Sequence, residues 1–341
     1  MSVDPFAIPA ARRAAIELLA PDLLAARTVA LSTHINADGD GCGSEVALAL
    51  LLAQKGADVR IVNPTPWPEM FRYLLVDGVR DESPRGAAAL KGIDRLIVLD
   101  ISDVRRLGVL ADAVRALTPP PLTIDHHQAG AEPPGTEMVS DTTACATGEL
   151  IFDLATVLGL AITPPVATAI YTALLTDTGG FRFSNTSARC LAIAAQLLAA
   201  GVDPEAMYKR IYASVGVGRL YLLRDALRHL GVDPAVGLAW ISIEAGEMER
   251  YAVLAEELDG IAEYPRSIAG TRLALLFRDL GHGKVKVSFR SVGNTDVNAL
   301  ARRFGGGGHA KAAGALIAGS LAEVQSTVLD AAREYLAAGP A

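Results

Sequence analysis

Asp125, His126 and His127 place one carboxylate and two imidazoles side by side, directly after the apolar segment 121–124. Three more apolar segments are followed by residues of types that can bind metal ions. These are His34, Asp38 and Asp40 after segment 28–32, Asp100 after segment 96–99, and Asp177 after segment 173–176. Because ligands of open α/β sheets gather at the carboxyl ends of the strands, we expect the four groups to form one site.

The four aspartates of the last three groups concentrate negative charge. Crowded carboxylates repel each other unless a cation neutralises them, so the set predicts bound divalent ions. Asp38 and Asp40 are two residues apart in the sequence. We expect Gly39 and Gly41 to let the backbone turn tightly around them.

The mixture of imidazole and carboxylate ligands restricts the choice of metal. It suits Mn²⁺, Zn²⁺ or Fe²⁺ better than Mg²⁺, which prefers oxygen and water, and we favour Mn²⁺. Two ions about 3.5–4 Å apart can clamp a phosphate for in-line displacement, and a bound metal can lower the pKa of water to about 7. The residues therefore predict hydrolysis by a two-metal hydroxide attack on phosphorus.

Strand and helix patterns alternate through the first half of the chain. Strands are predicted at 28–32, 58–63, 96–100 and 122–124, with a short one at 181–183. Helices are predicted at 9–26, at 41–55, from Ser102, at 142–158 and at 165–175. This alternation predicts an α/β fold with a mostly parallel sheet flanked by helices.

The second half has a different pattern. Residues 187–229 are helical in pattern, and two β-patterned runs at 272–278 and 284–290 flank a turn at 281–283. A helix at 297–304, a strand at 315–317 and a helix at 321–336 follow. We predict a catalytic domain at 1–188, a helical linker at 189–234 and a smaller α+β domain at 235–341.

The charge is unevenly distributed. The chain has 341 residues, 51% of them hydrophobic, and a net charge of −7, which argues against a general grip on duplex DNA. Segment 266–311 carries nine Lys or Arg and two Asp, a net +7, so the remainder carries −14. An acidic part that holds metals and a basic part together indicate a phosphorylated substrate, although the basic residues could also simply solvate a sheet surface.

Other features of the sequence bear on location. Three unevenly spaced cysteines indicate reduced thiols, and the first residues lack a basic and then apolar leader, so we expect a cytoplasmic protein. Segment 154–176 is uncharged and long enough to span a bilayer, but Pro164 and Pro165 interrupt it. We therefore expect no membrane association.

The motifs together resemble those of a known superfamily. His34-x-x-x-Asp38-x-Asp40, Asp100, Asp125-His126-His127 and Asp177 are similar to the four motifs of the DHH phosphoesterase superfamily, with Ala37 where a proline is usual. The run from Gly305 to His309, with Ala312, Ala313 and Gly314, resembles the signature of the DHH-associated C-terminal domain. In its length and in this second signature, the chain resembles the nanoRNase/pAp-phosphatase group.

The resemblance implies a role for each residue. His34 and Asp38 would hold one Mn²⁺, while Asp40, His126 and Asp177 would hold the other. Asp100 would bridge the two ions. His127 would contact the scissile phosphate, and Asp125 would orient the imidazoles. The implied substrate-binding residues of the second domain are Arg290, Gly306, Gly307, Gly308 and His309. Asp141 competes with Asp177 for the last ligand position; Asp177 matches the fourth motif.

The implied activity is hydrolysis of very short oligoribonucleotides (nanoRNA) to mononucleotides and removal of the 3′-phosphate of adenosine 3′,5′-bisphosphate (pAp). The expected partners are short single-stranded RNA or DNA oligonucleotides and pAp, with a homodimer implied by the group. The main alternative is a phosphodiesterase of cyclic or linear dinucleotides in nucleotide signalling. An inorganic pyrophosphatase, a RecJ-like exonuclease for long DNA and a non-catalytic nucleotide sensor fit the sequence less well.

Overall fold

The computed structural model describes residue 4 and residues 6–258, 260–308 and 310–338. The chain divides into two compact units, Met1–Ala213 and Ser214–Ala341. The domain boundaries inferred from sequence, at 188/189 and 234/235, stay predictions.

The first unit contains a five-stranded sheet and seven α-helices among its described residues. Its elements in chain order are α1 Ala10–Ala25, β1 Thr28–Ser32, α2 Gly39–Ala53, β2 Asp58–Ile61, β3 Arg95–Leu99, α3 Ala111–Arg115, β4 Leu122–Asp125, β5 Glu137–Ser140, α4 Thr147–Leu158, α5 Pro164–Asp177, α6 Ala188–Ala199 and α7 Pro204–Tyr212. Three 3₁₀ segments, Glu69–Leu74, Ser83–Leu90 and Val104–Leu110, lie between them.

The sheet has the strand order β2-β1-β3-β4-β5, and every pairing is parallel. The chain leaves β1 for β2 on one side and later returns to β3 on the other side of β1. The carboxyl ends of β1 and β3 therefore form the topological switch point, where ligands of such sheets bind. The predicted parallel α/β class is confirmed.

Both faces of this sheet are covered, as parallel sheets require. Leu31, Ile97 and Ile124 belong to the larger core cluster, which also contains residues of α1, α2, α4 and α5. The other face packs against the segment that follows β3, including Val104 and Leu107. Cys42, Cys145 and Cys190 are buried free thiols in this unit.

Helices α2 and α5 pack with their backbones very close together. A Cβ atom at Gly43 would lie 2.4 Å from the carbonyl oxygen of Ala169, which no side chain could tolerate. The absence of a side chain at this position lets α2 approach α5, so that both helices bury their apolar residues.

Several predicted elements of this unit were wrong in their bounds. The helix expected at 142–158 begins at Thr147, because β5 precedes it and the Asp141 carboxylate accepts a hydrogen bond from the Thr143 amide in a turn. Asp103, not Ser102, caps the 3₁₀ segment after β3. The strand expected at 181–183 is a turn, in which Phe181 has φ of 62°.

The second unit contains a mixed six-stranded sheet. Its elements are α8 Val217–Arg228, β6 Gly231–Asp233, β7 Leu238–Ile243, α9 Glu247–Arg250, α10 Glu263–Arg266, β8 Leu273–Asp279, β9 Lys284–Ser291, α11 Val297–Arg302, β10 Gly307–Gly308, β11 Ala312–Ala318 and α12 Leu321–Ala337, with a 3₁₀ segment at Ala255–Leu258. The order is β10-β11-β9-β8-β7-β6, and only β7 and β8 pair in parallel. The predicted α+β class and the hairpin of β8 and β9 are confirmed; the short strands β6 and β10 were not predicted.

Apolar residues cover both faces of this second sheet. Phe277, Val287 and Phe289 pack with α11 and α12 on one face. Ile241, Ile243 and Leu276 pack with α8 on the other. No single helix in the described parts of the chain is long and apolar enough to cross a membrane, although Ala188–Ala199 and Pro204–Tyr212, bent by 111°, pass that test as a pair on length and composition.

A buried ionic network ties α1 to α4. The Arg12 guanidinium contacts Asp141 at 2.9 Å, and Glu149 and Asp153 at 2.7 Å each. The side chain of Arg12 is 1% exposed. Burial lowers the pKa of Arg12, but the Glu149 and Asp153 carboxylates outweigh burial and raise this pKa above its ordinary value. The Glu149 carboxylate also accepts a hydrogen bond from the Cys145 amide, so the network fixes the loop before α4.

We predict that Arg12→Ala lowers the free energy of unfolding by about 3 kcal/mol, because it removes a buried cation from Glu149 and Asp153 and leaves Arg189 to neutralise both. Chemical denaturation would measure the loss. The matched control is Arg13→Ala, since Arg13 contacts Glu17 at 3.9 Å through side chains that are 48% and 58% exposed. That change should cost at most about 1 kcal/mol. Equal effects of the two substitutions would contradict the role of the network.

Candidate metal centre

The candidate ligands lie at the switch point of the first sheet. His34 follows β1, Asp100 follows β3, and Asp125 is the last residue of β4. Asp38 caps α2, and Asp40 lies in its first turn. Asp177 is the last residue of α5, so the expectation that it follows a strand was wrong.

Two groups of ligand atoms form around Asp100. In the first group, the Nε2 atom of His34 lies 3.6 Å from Asp38 Oδ2 and 3.5 Å from Asp100 Oδ2. In the second, the Nε2 atom of His126 lies 3.6 Å from Asp40 Oδ2, 3.5 Å from Asp100 Oδ1 and 3.7 Å from Asp177 Oδ2. The two oxygens of Asp100 therefore face different groups.

These separations fit atoms that share an ion. Two atoms each about 2.1 Å from one ion lie about 3.0–3.6 Å apart. The observed separations of 3.5–3.7 Å are close to the upper part of this range and longer than a normal hydrogen bond. The Nε2 atoms of His34 and His126 are both buried without a hydrogen-bond partner. Unpaired buried nitrogens are costly, and a bound cation would satisfy them.

The two imidazoles are oriented by backbone carbonyls. His34 Nδ1 lies 2.9 Å from the Ile35 oxygen, and His126 Nδ1 lies 3.3 Å from the Ala144 oxygen. A carbonyl only accepts, so Nδ1 carries the proton in each ring. In the neutral rings the Nε2 lone pairs then face the carboxylates, which is the arrangement of a metal-binding histidine.

Asp40 is held by the start of α4. Its carboxylate accepts hydrogen bonds from the amides of Thr147 at 2.7 Å and Gly148 at 2.9 Å, and from the Ser44 hydroxyl at 3.1 Å. The positive end of α4 thus faces a ligand carboxylate. Thr147, Gly148 and Ser44 were not predicted from the sequence; a helix start directly after a strand would have been the signal for the first two.

Asp100 occupies an unusual backbone position. Its φ is 60°, in the left-handed region that Asp and Asn tolerate better than most residues. The Thr147 hydroxyl donates a hydrogen bond of 3.1 Å to Asp100 Oδ1. The backbone conformation and this contact direct the two carboxylate oxygens toward the two groups.

The crowding of these carboxylates changes their protonation. Burial, followed by the charges of Asp100, Asp177 and Asp38, raises the pKa of Asp40 well above its usual range. Burial and the Asp100 charge also raise the pKa of Asp177 to about 6, against the opposing charge of His126. Burial lowers the pKa of His34, but the contacts with the negatively charged Asp100 and Asp38 outweigh burial and raise this pKa to about 10.

Asp125 and His127 form a pair beside these groups. His127 Nδ1 donates to Asp125 Oδ1 at 2.8 Å and lies 3.5 Å from Asp100 Oδ1. Burial lowers the pKa of His127, but Asp125 and the charge of Asp100 together outweigh burial and raise the pKa overall. The carboxylate therefore orients this imidazole and favours its protonated form.

Asp177 and Asp141 have different surroundings. Asp177 Oδ2 accepts a hydrogen bond of 3.2 Å from Asn185, whose amide also donates to the Cys145 carbonyl at 2.8 Å. Asp141 contacts Arg12 instead. Among the described residues it is absent from the two ligand groups and from a third cluster with metal-ligand geometry, which is formed by Asp100, His126 and His127.

The expected reason for Gly39 and Gly41 was wrong. Neither has a positive φ, and both lie in the first turn of α2. A Cβ atom at Gly39 would lie 2.4 Å from the Thr176 side chain, and one at Gly41 would lie 2.7 Å from that of Thr33. These glycines therefore allow close packing rather than a turn.

Comparison with known proteins agrees with this geometry. Residues 28–175 match the N-terminal domain model of the DHH family, and residues 248–338 match the DHHA1 domain model. The chain belongs to the DHH family. It is 32% identical, over 90% of this chain and 89% of the relative, to a bifunctional oligoribonuclease and PAP phosphatase NrnA of Thermus thermophilus. Proteins of the DHH family are phosphoesterases, and this chain is an enzyme of that class.

Two further comparisons cover most of the chain. A protein of the same name from Bacillus subtilis is 26% identical over 85% of this chain and 89% of the relative. The crystal structure of an exopolyphosphatase-related protein from Bacteroides fragilis matches with a TM-score of 0.87 and 25% identity, over 95% of this chain and 98% of that one.

The DHHA1 region contains the predicted substrate-binding residues. Arg290 lies on β9 opposite Ala312, and Ser288 lies opposite Gly314, so the four share one face of the sheet. The Arg290 guanidinium donates to the Phe289 carbonyl at 3.1 Å and lies 3.9 Å from Glu263. Because Ser288, Ala312 and Gly314 have small side chains or none, the Arg290 guanidinium stays accessible on that face.

The glycine run of the DHHA1 region pairs with β11. A Cβ atom at Gly306 would lie 2.2 Å from the carbonyl oxygen of Gly314, and one at Gly308 would lie 2.5 Å from the carbonyl oxygen of Ala312. Gly307 has more space, with Asn298 Oδ1 at 3.8 Å. Two of the three predicted glycines are thus required by strand pairing, whatever ligand binds. His309 lies outside the described residues.

We predict that the metal-free protein loses stability as pH rises from about 4 to about 6. The folded state holds the Asp177 proton with a pKa of about 6, against 3.8 as the ordinary value, so the folded state binds more protons in this window. Thermal unfolding after chelation would measure the loss. Mn²⁺ at 100 times its dissociation constant should add about 2.7 kcal/mol for each ion. At one fixed Mn²⁺ concentration, the added stability should be larger above this pH window than below it, because the ligand carboxylates must lose their protons to bind.

Asp177→Asn is the control for this effect, because it removes the titrating group. Its metal-free stability should vary less between about pH 4 and pH 6. A metal-free protein that became more stable over the same window would contradict the assignment of these charges.

Proposed function

We propose that this chain is a Mn²⁺-dependent phosphoesterase that hydrolyses very short oligoribonucleotides to mononucleotides and removes the 3′-phosphate of pAp. The observation that carries the proposal is the position of Asp100, whose two oxygens lie 3.5 Å from the unpaired Nε2 atoms of His34 and His126. One bridging carboxylate between two ligand groups is the arrangement that two-metal phosphoesterases require.

The donor set supports Mn²⁺. The group of His34, Asp38 and Asp100 and the group of Asp40, His126 and Asp177 each combine one imidazole with two carboxylates, a mixture that Mn²⁺ accepts more readily than Mg²⁺. His34 and Asp38 would hold one ion, and Asp40, His126 and Asp177 the other, with Asp100 shared. When bound, such ions lower the pKa of water and neutralise charge on a phosphate.

The protein residues beside the ions would handle the substrate phosphate. His127, whose protonated form Asp125 favours, is suited to donate a hydrogen bond to a phosphate oxygen and stabilise its developing charge. Asp125 fixes the ring orientation and is not a ligand. In the second unit, Arg290 and the Gly306–Gly308 backbone would bind a phosphate of the nucleotide substrate, because guanidinium groups recognise phosphate in a bidentate manner.

The names of the relatives support short RNA and pAp as substrates, since the two NrnA proteins match over most of their length. We extend the proposal to short single-stranded DNA. A cytoplasmic location agrees with three buried free thiols. We also propose that the protein forms a homodimer and does not bind membranes.

The proposal is tested by turnover with Mn²⁺ on a series of substrates. End-labelled RNAs from two to about twenty nucleotides would exceed a single binding site of about 4–16 nucleotides. The series would also contain pAp, cyclic and linear dinucleotides, and pyrophosphate. We expect the shortest RNAs to be cleaved fastest and pAp to be dephosphorylated. Preference for a cyclic dinucleotide would favour the signalling alternative, and binding without turnover would favour a sensor.

Asp100→Asn is the matched variant for this assay, because Asn also tolerates a positive φ. Loss of the bridging charge should lower kcat by about 1000-fold or more, since metal stabilisation contributes several kcal/mol. Asp103→Asn is its control. Asp103 lies three positions away and contacts Arg105 at 2.6 Å instead of the ligand groups. Retained turnover in Asp100→Asn would rule out the two-metal arrangement.

We predict that Arg290→Ala lowers kcat/KM for pAp and short RNA by about 30-fold, which corresponds to a lost charged hydrogen bond of about 2 kcal/mol. The metal content should not change. Arg302→Ala, which removes an exposed cation from α11 of the same unit, is the control and should keep the wild-type kcat/KM. If both variants kept wild-type kinetics, Arg290 would have no part in substrate binding.

A further inference from the structure

The backbone that carries His34 extends beyond the pairing of its own strand. The last paired residues of β1 and β2 are Leu31 and Ile61, followed by a hydrogen bond of 2.8 Å from the Val62 amide to the Leu31 carbonyl. The next amide that requires a partner on this side belongs to Thr33, directly before His34. It donates to the side-chain oxygen Oδ1 of Asn63 at 2.9 Å. A side chain thus continues the pairing where the strand has ended.

The orientation of Asn63 is fixed from two sides. Its side-chain nitrogen Nδ2 donates to Glu45 Oε2 at 2.8 Å, and its backbone amide donates to the Ser83 hydroxyl at 2.8 Å. Because the Thr33 amide only donates, Oδ1 must face Thr33 and Nδ2 must face Glu45. A reversed amide group would break both contacts.

Glu45 is a fully buried acid. It lies on α2, the helix that also carries Asp40, and is 0% exposed. Burial raises its pKa to about 8, the hydrogen bond from Asn63 opposes the rise, and the Asp81 charge adds to it. Burying a carboxyl group in the protein core is costly. Glu45 is not among the residues assigned above to the two ions or to the substrate phosphate.

We infer that Glu45 and Asn63 are positioning residues that hold His34 in place for one of the two ions. Glu45 links the helix that carries Asp38 and Asp40 to the strand end that carries His34, through one amide side chain. Glu45 does not belong to the ligand groups found among the described residues. The inference rests on the proposed two-metal function.

The effect should be confined to the ion held by His34, Asp38 and Asp100. The second ligand group depends on other contacts, since Asp40 is held by the Thr147 and Gly148 amides and Asp177 by Asn185. Loss of the Glu45 contact should therefore weaken one ion selectively. A general loss of structure would weaken both.

The test is calorimetric titration of Mn²⁺ into the metal-free full chain, with electron paramagnetic resonance at one and two equivalents. Glu45→Met keeps the approximate volume and removes the acceptor of the Asn63 hydrogen bond. We expect one of two binding steps to weaken by about 10–100-fold, the usual effect of losing a group that orients a metal ligand. The signal at two equivalents should then retain the spectrum of isolated Mn²⁺, while the wild type gives that of a coupled pair.

Glu45→Gln is the conservative variant, because its amide oxygen still accepts from Asn63. It should restore both binding steps to within about threefold of the wild type, well inside the range of a lost orienting contact. Turnover offers a second readout. In Glu45→Met the Mn²⁺ concentration for half-maximal activity should rise, whereas kcat at saturating Mn²⁺ should change little, because every ligand remains.

Leu52→Ala separates positioning from stability. Leu52 is a buried apolar residue of the same helix, and its truncation should cost about 2–5 kcal/mol of stability. It should leave both Mn²⁺ steps unchanged in the folded protein. If Glu45→Met does not fold, Asn63→Ala tests the same contact from its other end, with the same expected loss of one step.

The outcomes distinguish this inference from the proposed function. Wild-type affinity for both ions in Glu45→Met overturns the positioning role and leaves the two-metal proposal intact. Equal weakening of both ions also overturns it. A wild type that binds one ion contradicts the two-metal proposal, and positioning then survives only if Glu45→Met weakens that ion. A wild type that binds no Mn²⁺ overturns both.

Discussion

Mutual repulsion among four carboxylates is the constraint on which the first unit depends. Asp38, Asp40, Asp100 and Asp177 meet at one edge of the sheet, where burial makes the negative charges of Asp40 and Asp177 costly. Without compensation the site would favour protonated acids or an open structure. The unpaired Nε2 atoms of two histidines complete a donor set that attracts cations, so the same crowding that lowers stability is what gives the site its affinity for metal.

The surrounding structure reduces this repulsion in ways that do not involve a metal. The start of α4 directs two amides at Asp40, and the Thr147 hydroxyl binds Asp100. Behind α4, the Arg12 network fixes the loop that leads into the helix. Groups far from the substrate therefore determine where the ligand oxygens lie, which is the condition for a preorganised site.

Sequence reasoning located the ligands better than it located their supports. The β-favouring runs before His34, Asp100 and Asp125 predict strand ends, and a parallel sheet brings such ends together. Asp177 required resemblance to known motifs, because the helical pattern of α5 does not say where that helix ends in space. The strand β5 has a weak apolar pattern, because Val139 is the one buried residue among its four. Missing this strand hid the helix start that holds Asp40.

Other features depend on neighbours that are distant in the chain. Arg12 and Arg13 are adjacent and chemically identical, yet one is buried in a network and the other is exposed. Gly39 and Gly41 look like turn residues until the positions of Thr176 and Thr33 are known. The Asn63–Glu45 contact joins residues from separate segments, so no local pattern announces it. Tertiary contacts decide each of these cases, and propensity and periodicity contain no information about them.

The buried thiols of the first unit provide a native probe of its motions. Cys42 lies in α2, Cys145 lies in the loop before α4, and Cys190 lies in α6, and all three are fully buried. A thiol reagent can reach them only when their surroundings open, since reaction requires an accessible thiolate. The rate of modification of each cysteine therefore reports the opening of its own segment, without any introduced label. Slower modification of Cys145 on addition of metal would reveal how far the ordering of the site spreads through the unit.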